Sequence, residues 1–271
     1  MNAHTPKIVR TSTLLEFKRE GRKIACLTSY DALTAQIFDS AGIDVILVGD
    51  SAANTVLGYK STLPITVDEM IPFGRAVANA AMRALVVVDL PFGSYETGTE
   101  DALANSIQVM KSTNAAAVKL EGGVRSAAQI KALVEAGIPV MGHIGFTPQS
   151  VNVLGGFKVQ GRGDGAEQLI EDALAVEAAG AFAVVLEMVP ASLAEEISKK
   201  LNIPTIGIGA GVGTDGQILV WQDFAGLHSG KAPKFVKQYA QLDTILSQAA
   251  SSYLSDVKDG SFPAKEHEFD S

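Results

Sequence analysis

At 271 residues the chain is close to the usual size of one (β/α)₈ barrel, and such barrels run as single domains. A formal charge of −8 argues against nucleic acid as a partner, which would select a basic face. Cys26 is the only cysteine, which excludes an intrachain disulfide and fits a reducing, cytoplasmic setting.

No apolar stretch approaches the roughly 18 residues of a membrane span, and the N-terminal segment through Glu20 has no apolar core of signal-peptide length. Residues 13–21 read as a helix ahead of the first strand. The first short apolar run is 23–30 (KIACLTSY). It is followed by a helix over 32–40, with Asp31 as N-cap and Gly42 as stop. The second run is 45–50 (VILVGD). Thr66 and Glu69 then have capping-box spacing before a helix toward Met82. Runs at 85–90, 116–121, 140–145, 182–188, 205–209 and 217–221 complete a set of eight. Helix-rich segments lie at 102–113, 127–136, 167–179 and 191–201, and one or two more helices at 234–257.

The runs are almost continuously apolar, as parallel strands buried on both faces are. Eight strand–helix repeats close a barrel, so the expected fold is a single-domain TIM barrel over residues 1–271. It carries an extra N-terminal helix and C-terminal helices. The last repeat is thin, because few residues separate the seventh and eighth runs. An open doubly wound sheet would want a glycine-rich loop after the first strand, and SYDALTAQ has no glycine.

Acidic residues fall where the strands end. Asp50 closes the second run, Asp89 nearly closes the third, Glu121 closes the fourth and Glu187 nearly closes the sixth. In a barrel these ends face one mouth, so the four carboxylates would converge there. Close carboxylates repel unless a cation sits among them, and Mg²⁺ suits a small set of oxygen ligands. In the competing reading each acid caps the helix that follows it, which is most natural for Asp50 before Ser51.

Lys119 lies two residues before Glu121, so the two side chains share one side of their strand while Leu120 takes the other. It could anchor a substrate carboxylate, form a Schiff base, or simply pair with Glu121. His143 either positions substrate or is a hydrogen-bonded core histidine. The polar, glycine-rich stretch beginning TPQS at Thr147 reads as a covering loop. The glycines at 207, 209, 211 and 213 miss the G-x-G-x-x-G spacing; near the seventh strand they suit either a phosphate site or tight turns and close packing, the second being preferred.

The segments LTSYDALTA, LVGDSAANTVLGYKSTLPIT, VVDLPFGSYE, AAVKLEGG and GHIGFTPQSVNVLGGFKVQGRGD, with VVLEMVP, IGIGAG, DGQILVWQD and the tail GSFPAKEHEF, run in order along the chain. Together they closely resemble the ketopantoate (3-methyl-2-oxobutanoate) hydroxymethyltransferase family. The resemblance implies a transferase using 5,10-methylenetetrahydrofolate and 3-methyl-2-oxobutanoate in pantothenate synthesis. It also implies magnesium bound by Asp50, Asp89 and Glu121. Ser51 and Lys119 would hold the oxo acid's carboxylate, with Asp50 and Asp89 contributing to substrate binding through the metal. Glu187 would be the proton acceptor, and the assembly would be a homo-oligomer, a decamer of barrels. Separately, the folate's glutamate tail is anionic, which makes the loop with Lys158 and Arg162 a candidate contact for it. The rival reading is a magnesium-dependent C–C lyase or mutase of the phosphoenolpyruvate mutase/isocitrate lyase type.

Overall fold

The computed structural model describes residues 7–228, 230 and 232–269, so the first six residues of the segment read for a leader lie outside it. The chain divides into two compact units, Met1–Val220 and Trp221–Ser271.

The first unit opens with α1 (Thr11–Arg19), β1 (Ile24–Thr28), α2 (Ala32–Ala41), β2 (Val45–Val48), a single turn α3 (Ala52–Thr55), α4 (Val67–Ala80) and β3 (Leu85–Asp89). It continues through α5 (Thr99–Thr113), β4 (Ala117–Glu121), α6 (Ala127–Glu135), β5 (Val140–Gly145), the short α7 (Val151–Leu154) and α8 (Gly165–Ala178). It ends with β6 (Ala183–Glu187), α9 (Ala191–Lys200), β7 (Thr205–Ile208) and β8 (Gly216–Leu219). All eight strands are parallel and close in sequence order, with β8 back against β1. The expected TIM barrel is therefore present.

Local signals place the helices as the sequence suggests. The Asp31 carboxylate accepts from the backbone of Leu33 and Thr34, and Thr66 and Glu69 cap α4 reciprocally. The seventh repeat departs from the pattern, because no helix separates β7 from β8. A tight loop replaces it, and at Gly211 the left-handed backbone (φ 81°) passes so close to Ala191 that a Cβ would lie 2.5 Å from that side chain.

Strand alternation divides the barrel interior in two. Ile24, Cys26, Val45, Leu47, Leu85, Val87, Ala117, Met141, Ala183, Val185, Ile206 and Ile218 form its apolar floor, and Val9, Leu14 and Phe17 from the α1 region pack into the same cluster. Side chains two residues further along face the same way. The inward series 85–87 therefore continues to Asp89, 117 to Lys119 and Glu121, 141 to His143, and 183–185 to Glu187. Cys26 belongs to this floor, and burial pushes its thiol far above the usual range.

The second unit holds α10 (Trp221–Ala225) and α11 (Leu242–Asp259). The expectation of helix from residue 234 fails, because the described residues between 232 and 241 are irregular. Tyr239 there bonds back to the Phe224 carbonyl and stacks on its ring. No described helix is long and apolar enough to cross a membrane.

Candidate active site

Register brings the inward polar residues side by side. Asp89 is the lateral partner of Lys119, and Glu121 that of His143. Lys119 Nζ lies 2.6 Å from Asp89 Oδ1, both nearly inaccessible to solvent. The ion pair expected as an alternative within β4 is thus made to the next strand instead. Neighbouring strands are about 4.8 Å apart, nearer than residues i and i+2 of one strand. Asp89 Oδ2 also accepts from the backbone N–H of Asp50 at 3.0 Å. Asp50 does not cap α3. It is buried, and its Oδ2 accepts from Gln149 Nε2 at 2.9 Å.

His143 lies between two acids, with Nε2 3.2 Å from Glu187 Oε2 and Nδ1 3.5 Å from Glu121 Oε1, both outside good hydrogen-bond geometry. Ser51, at the mouth, shares a 2.7 Å hydrogen bond with the buried Tyr30 hydroxyl. Asp50, Asp89, Lys119 and Glu121 are thus joined by hydrogen bonds, directly or through Gln149, while Glu187 approaches the group only at His143 and Ser51 bonds to Tyr30.

Charge in a dry interior moves protons. Burial, then the nearness of Asp89 and Glu121, pushes the Asp50 carboxyl up to about 8. Burial does the same to Glu121, also to about 8, against the pull of Lys119. Burial disfavours the Lys119 ammonium, but Asp89, Glu121 and Asp50 outweigh it and hold the group above its ordinary value. Burial and Lys119 together hold His143 below the usual histidine range.

With all three acids ionised and Lys119 protonated, the cluster would carry two uncompensated negative charges. A divalent cation supplies that deficit, and an all-oxygen carboxylate set suits a hard one. Gln149 engages Asp50 Oδ2 and Glu121 Oε2, leaving Asp50 Oδ1 and Glu121 Oε1 outside those two bonds. The donor chemistry thus fits, although among the described residues no three or more His, Cys, Asp or Glu side chains already stand in ligating geometry.

A profile of the family described as ketopantoate hydroxymethyltransferase matches residues 8–265. The chain belongs to this family. A 3-methyl-2-oxobutanoate hydroxymethyltransferase of Leifsonia xyli subsp. xyli is 63% identical over 98% of this chain and 96% of its own length. One from Mycobacterium ulcerans is 64% identical over 96% of this chain and 88% of its own. Among solved structures, 2,3-dimethylmalate lyase, a PEP mutase/isocitrate lyase superfamily member, superposes with TM-score 0.59 at 16% identity, covering 97% of this chain and 92% of that one. Phosphonopyruvate hydrolase complexed with oxalate and Mg²⁺ gives 0.61 at 12%, covering 96% and 93%. At these identities the two structures share only the fold with this hydroxymethyltransferase family member.

Sequence reasoning missed two members of the network, Gln149 and Tyr95. The sequence from Thr147 suggests a covering loop, but its first turn, Pro148–Ser150, is a 3₁₀ helix that buries Gln149 in the wall of the site. The remainder fits a rim, with Val153 and Phe157 exposed and Phe157 stacked 4.8 Å from Phe146. The available signal was a polar residue held by proline one turn past a strand's C-terminal end.

Proposed function

We propose that this chain transfers a hydroxymethyl group from 5,10-methylenetetrahydrofolate to 3-methyl-2-oxobutanoate, giving 2-dehydropantoate (ketopantoate) for pantothenate and coenzyme A synthesis. The observation that carries the proposal is family membership over nearly the whole chain, together with a buried carboxylate–lysine group beside His143, which lies 3.2 Å from a second carboxylate, Glu187.

In this reading Asp50, Asp89 and Glu121 hold Mg²⁺, directly or through water. When bound, Mg²⁺ supplies Lewis-acid stabilisation of negative charge on the oxo acid's oxygen. Lys119 and the Ser51 hydroxyl take the oxo acid's carboxylate. Glu187 accepts the proton from C3, and C3 then bonds to the methylene carbon carried by the folate. Water supplies the product hydroxyl as tetrahydrofolate departs. The exposed Lys158 and Arg162 are offered to the folate's anionic tail.

The reading takes residues 1–271 as one catalytic domain. It places the protein in the cytoplasm as a homo-oligomer, a decamer by family resemblance, without nucleic acid or membrane as partner. The test is formation of ketopantoate from the two substrates with and without Mg²⁺. Product that forms equally well after complete removal of divalent metal would refute the metal-dependent mechanism, and no product under any condition would refute the activity.

A further inference from the structure

Gln149 donates hydrogen bonds to two carboxylates of the group, which none of the residues the sequence points to does. It reaches the site from the turn after β5, yet ties together the ends of β2 and β4. Its backbone N–H donates to Glu121 Oε2 at 3.0 Å. Its side-chain Nε2 donates to Asp50 Oδ2 at 2.9 Å and to the Leu90 carbonyl at 3.0 Å. Its Oε1 accepts from the Tyr95 hydroxyl at 2.5 Å. Tyr95 in turn accepts from the backbone N–H of Glu121 at 3.2 Å. Both residues are buried.

This network fixes the amide's direction. With its oxygen accepting from Glu121 N–H, Tyr95 has its proton free for Gln149 Oε1. Both hydrogens on Nε2 are then used, one on a carboxylate and one on a carbonyl. A flipped amide would set oxygen against the Leu90 oxygen and, with Asp50 ionised as a cation ligand, against Asp50 Oδ2, two repulsive contacts in a buried place. The turn itself is anchored through Arg125, which donates to Ser150 Oγ at 2.8 Å.

We propose that Gln149, locked by Tyr95, is a positioning residue that sets the separation and orientation of Asp50 and Glu121 for the cation. The inference rests on the metal reading given above. An amide suits the task because it donates to a carboxylate without adding charge. Each bond takes one oxygen of its acid, which leaves Asp50 Oδ1 and, beside His143 Nδ1, Glu121 Oε1 outside those bonds. Partners that orient metal ligands in this way typically contribute 10–100-fold to metal affinity.

The experiment is calorimetric titration of the metal-free protein with MgCl₂, for wild type, Gln149→Met, Tyr95→Phe and the double variant. Tyr95→Phe keeps the ring and carries the test should Gln149→Met fold poorly. Expected are a loss of about 10–100-fold in Mg²⁺ affinity for Gln149→Met and a smaller loss for Tyr95→Phe. The double variant should bind more weakly than Gln149→Met by less than the full Tyr95→Phe loss, because Tyr95 acts in part through Gln149 and in part on the Glu121 N–H. Saturating Mg²⁺ should return kcat toward wild type, which a folding defect would not allow. Affinities within twofold of wild type in the folded variants, or fully additive losses, would overturn the inference and leave the metal reading intact. A wild type that takes up no Mg²⁺ would overturn the metal reading and this inference with it.

Discussion

Glu187 differs from the other acids in its access to solvent. Its side chain is 14% exposed, whereas that of Asp89 is 3% exposed and bound to Lys119. A group that takes a proton from substrate needs such an open edge, and a group that holds a cation does not. Glu187→Gln should therefore lower kcat by about 10²–10⁴-fold while Mg²⁺ and oxo-acid binding stay near wild type. Loss of the C3 proton of 3-methyl-2-oxobutanoate in D₂O without folate, followed by NMR, reads this step alone. Exchange at the wild-type rate would remove Glu187 from the role. Lys119 invites the opposite argument. Three carboxylates keep it protonated, and an ammonium has no lone pair with which to form a Schiff base. Lys119→Ala should raise the KM for the oxo acid by about tenfold or more, the loss of one charge-assisted hydrogen bond. Borohydride should trap no adduct on the wild type, and a stable adduct would reverse the assignment.

At the scale of elements, β5 and β6 meet where Glu187 is set. Gly145 pairs with Glu187 across the strands in a left-handed conformation (φ 89°), and a Cβ there would lie 2.4 Å from the Glu187 carbonyl oxygen. Gly145→Ala thus has both backbone strain and a collision with β6, costing about 1–3 kcal/mol. Because β6 must move to relieve it, kcat should fall as well. Thermal unfolding and turnover measured together check this, and a variant with wild-type kcat would show that β6 does not shift. The same elements show what a sequence makes legible. Asp89, Lys119, Glu121 and Glu187 could be placed because a strand fixes side-chain direction with a period of two. The partner of Lys119 could not, because it depends on register between strands. Gln149 was beyond reach for a related reason: its bond to Asp50 joins residues 99 apart, with nothing local to mark it. The missing helix between β7 and β8 was visible only as a short spacing.

At the scale of the whole molecule, the buried acids tie stability to pH. Asp50 and Glu121 titrate at about 8 when folded, against about 4 in an unfolded chain. The folded state therefore keeps protons that the unfolded state has released. Their contribution is fully present below the unfolded value and is lost as pH rises through about 8. A divalent cation binds the ionised forms, so it should restore most where the loss is greatest. Scanning calorimetry should show Mg²⁺ raising Tm more near pH 8 than near pH 5. Equal shifts at both would mean that the metal does not engage these two acids.

The apolar floor has a kinetic consequence. Val9, Leu14 and Phe17 stop the barrel's lower end, and Lys18 fastens that end by reaching Asp215 at 2.7 Å and the Ser198 carbonyl at 2.8 Å. If that packed floor admits nothing, the interior is a well entered from the mouth alone, and whatever enters must leave the same way. A small acid seated against Lys119 would lie beneath a much larger one-carbon donor, and the donor, once in place, would bar the way behind it. Traffic through one doorway imposes sequence: oxo acid in first, spent donor out before product. Product-inhibition patterns should accordingly be those of a compulsory order, with ketopantoate competing against the oxo acid, and a random-order pattern would mean that the well has a second way in.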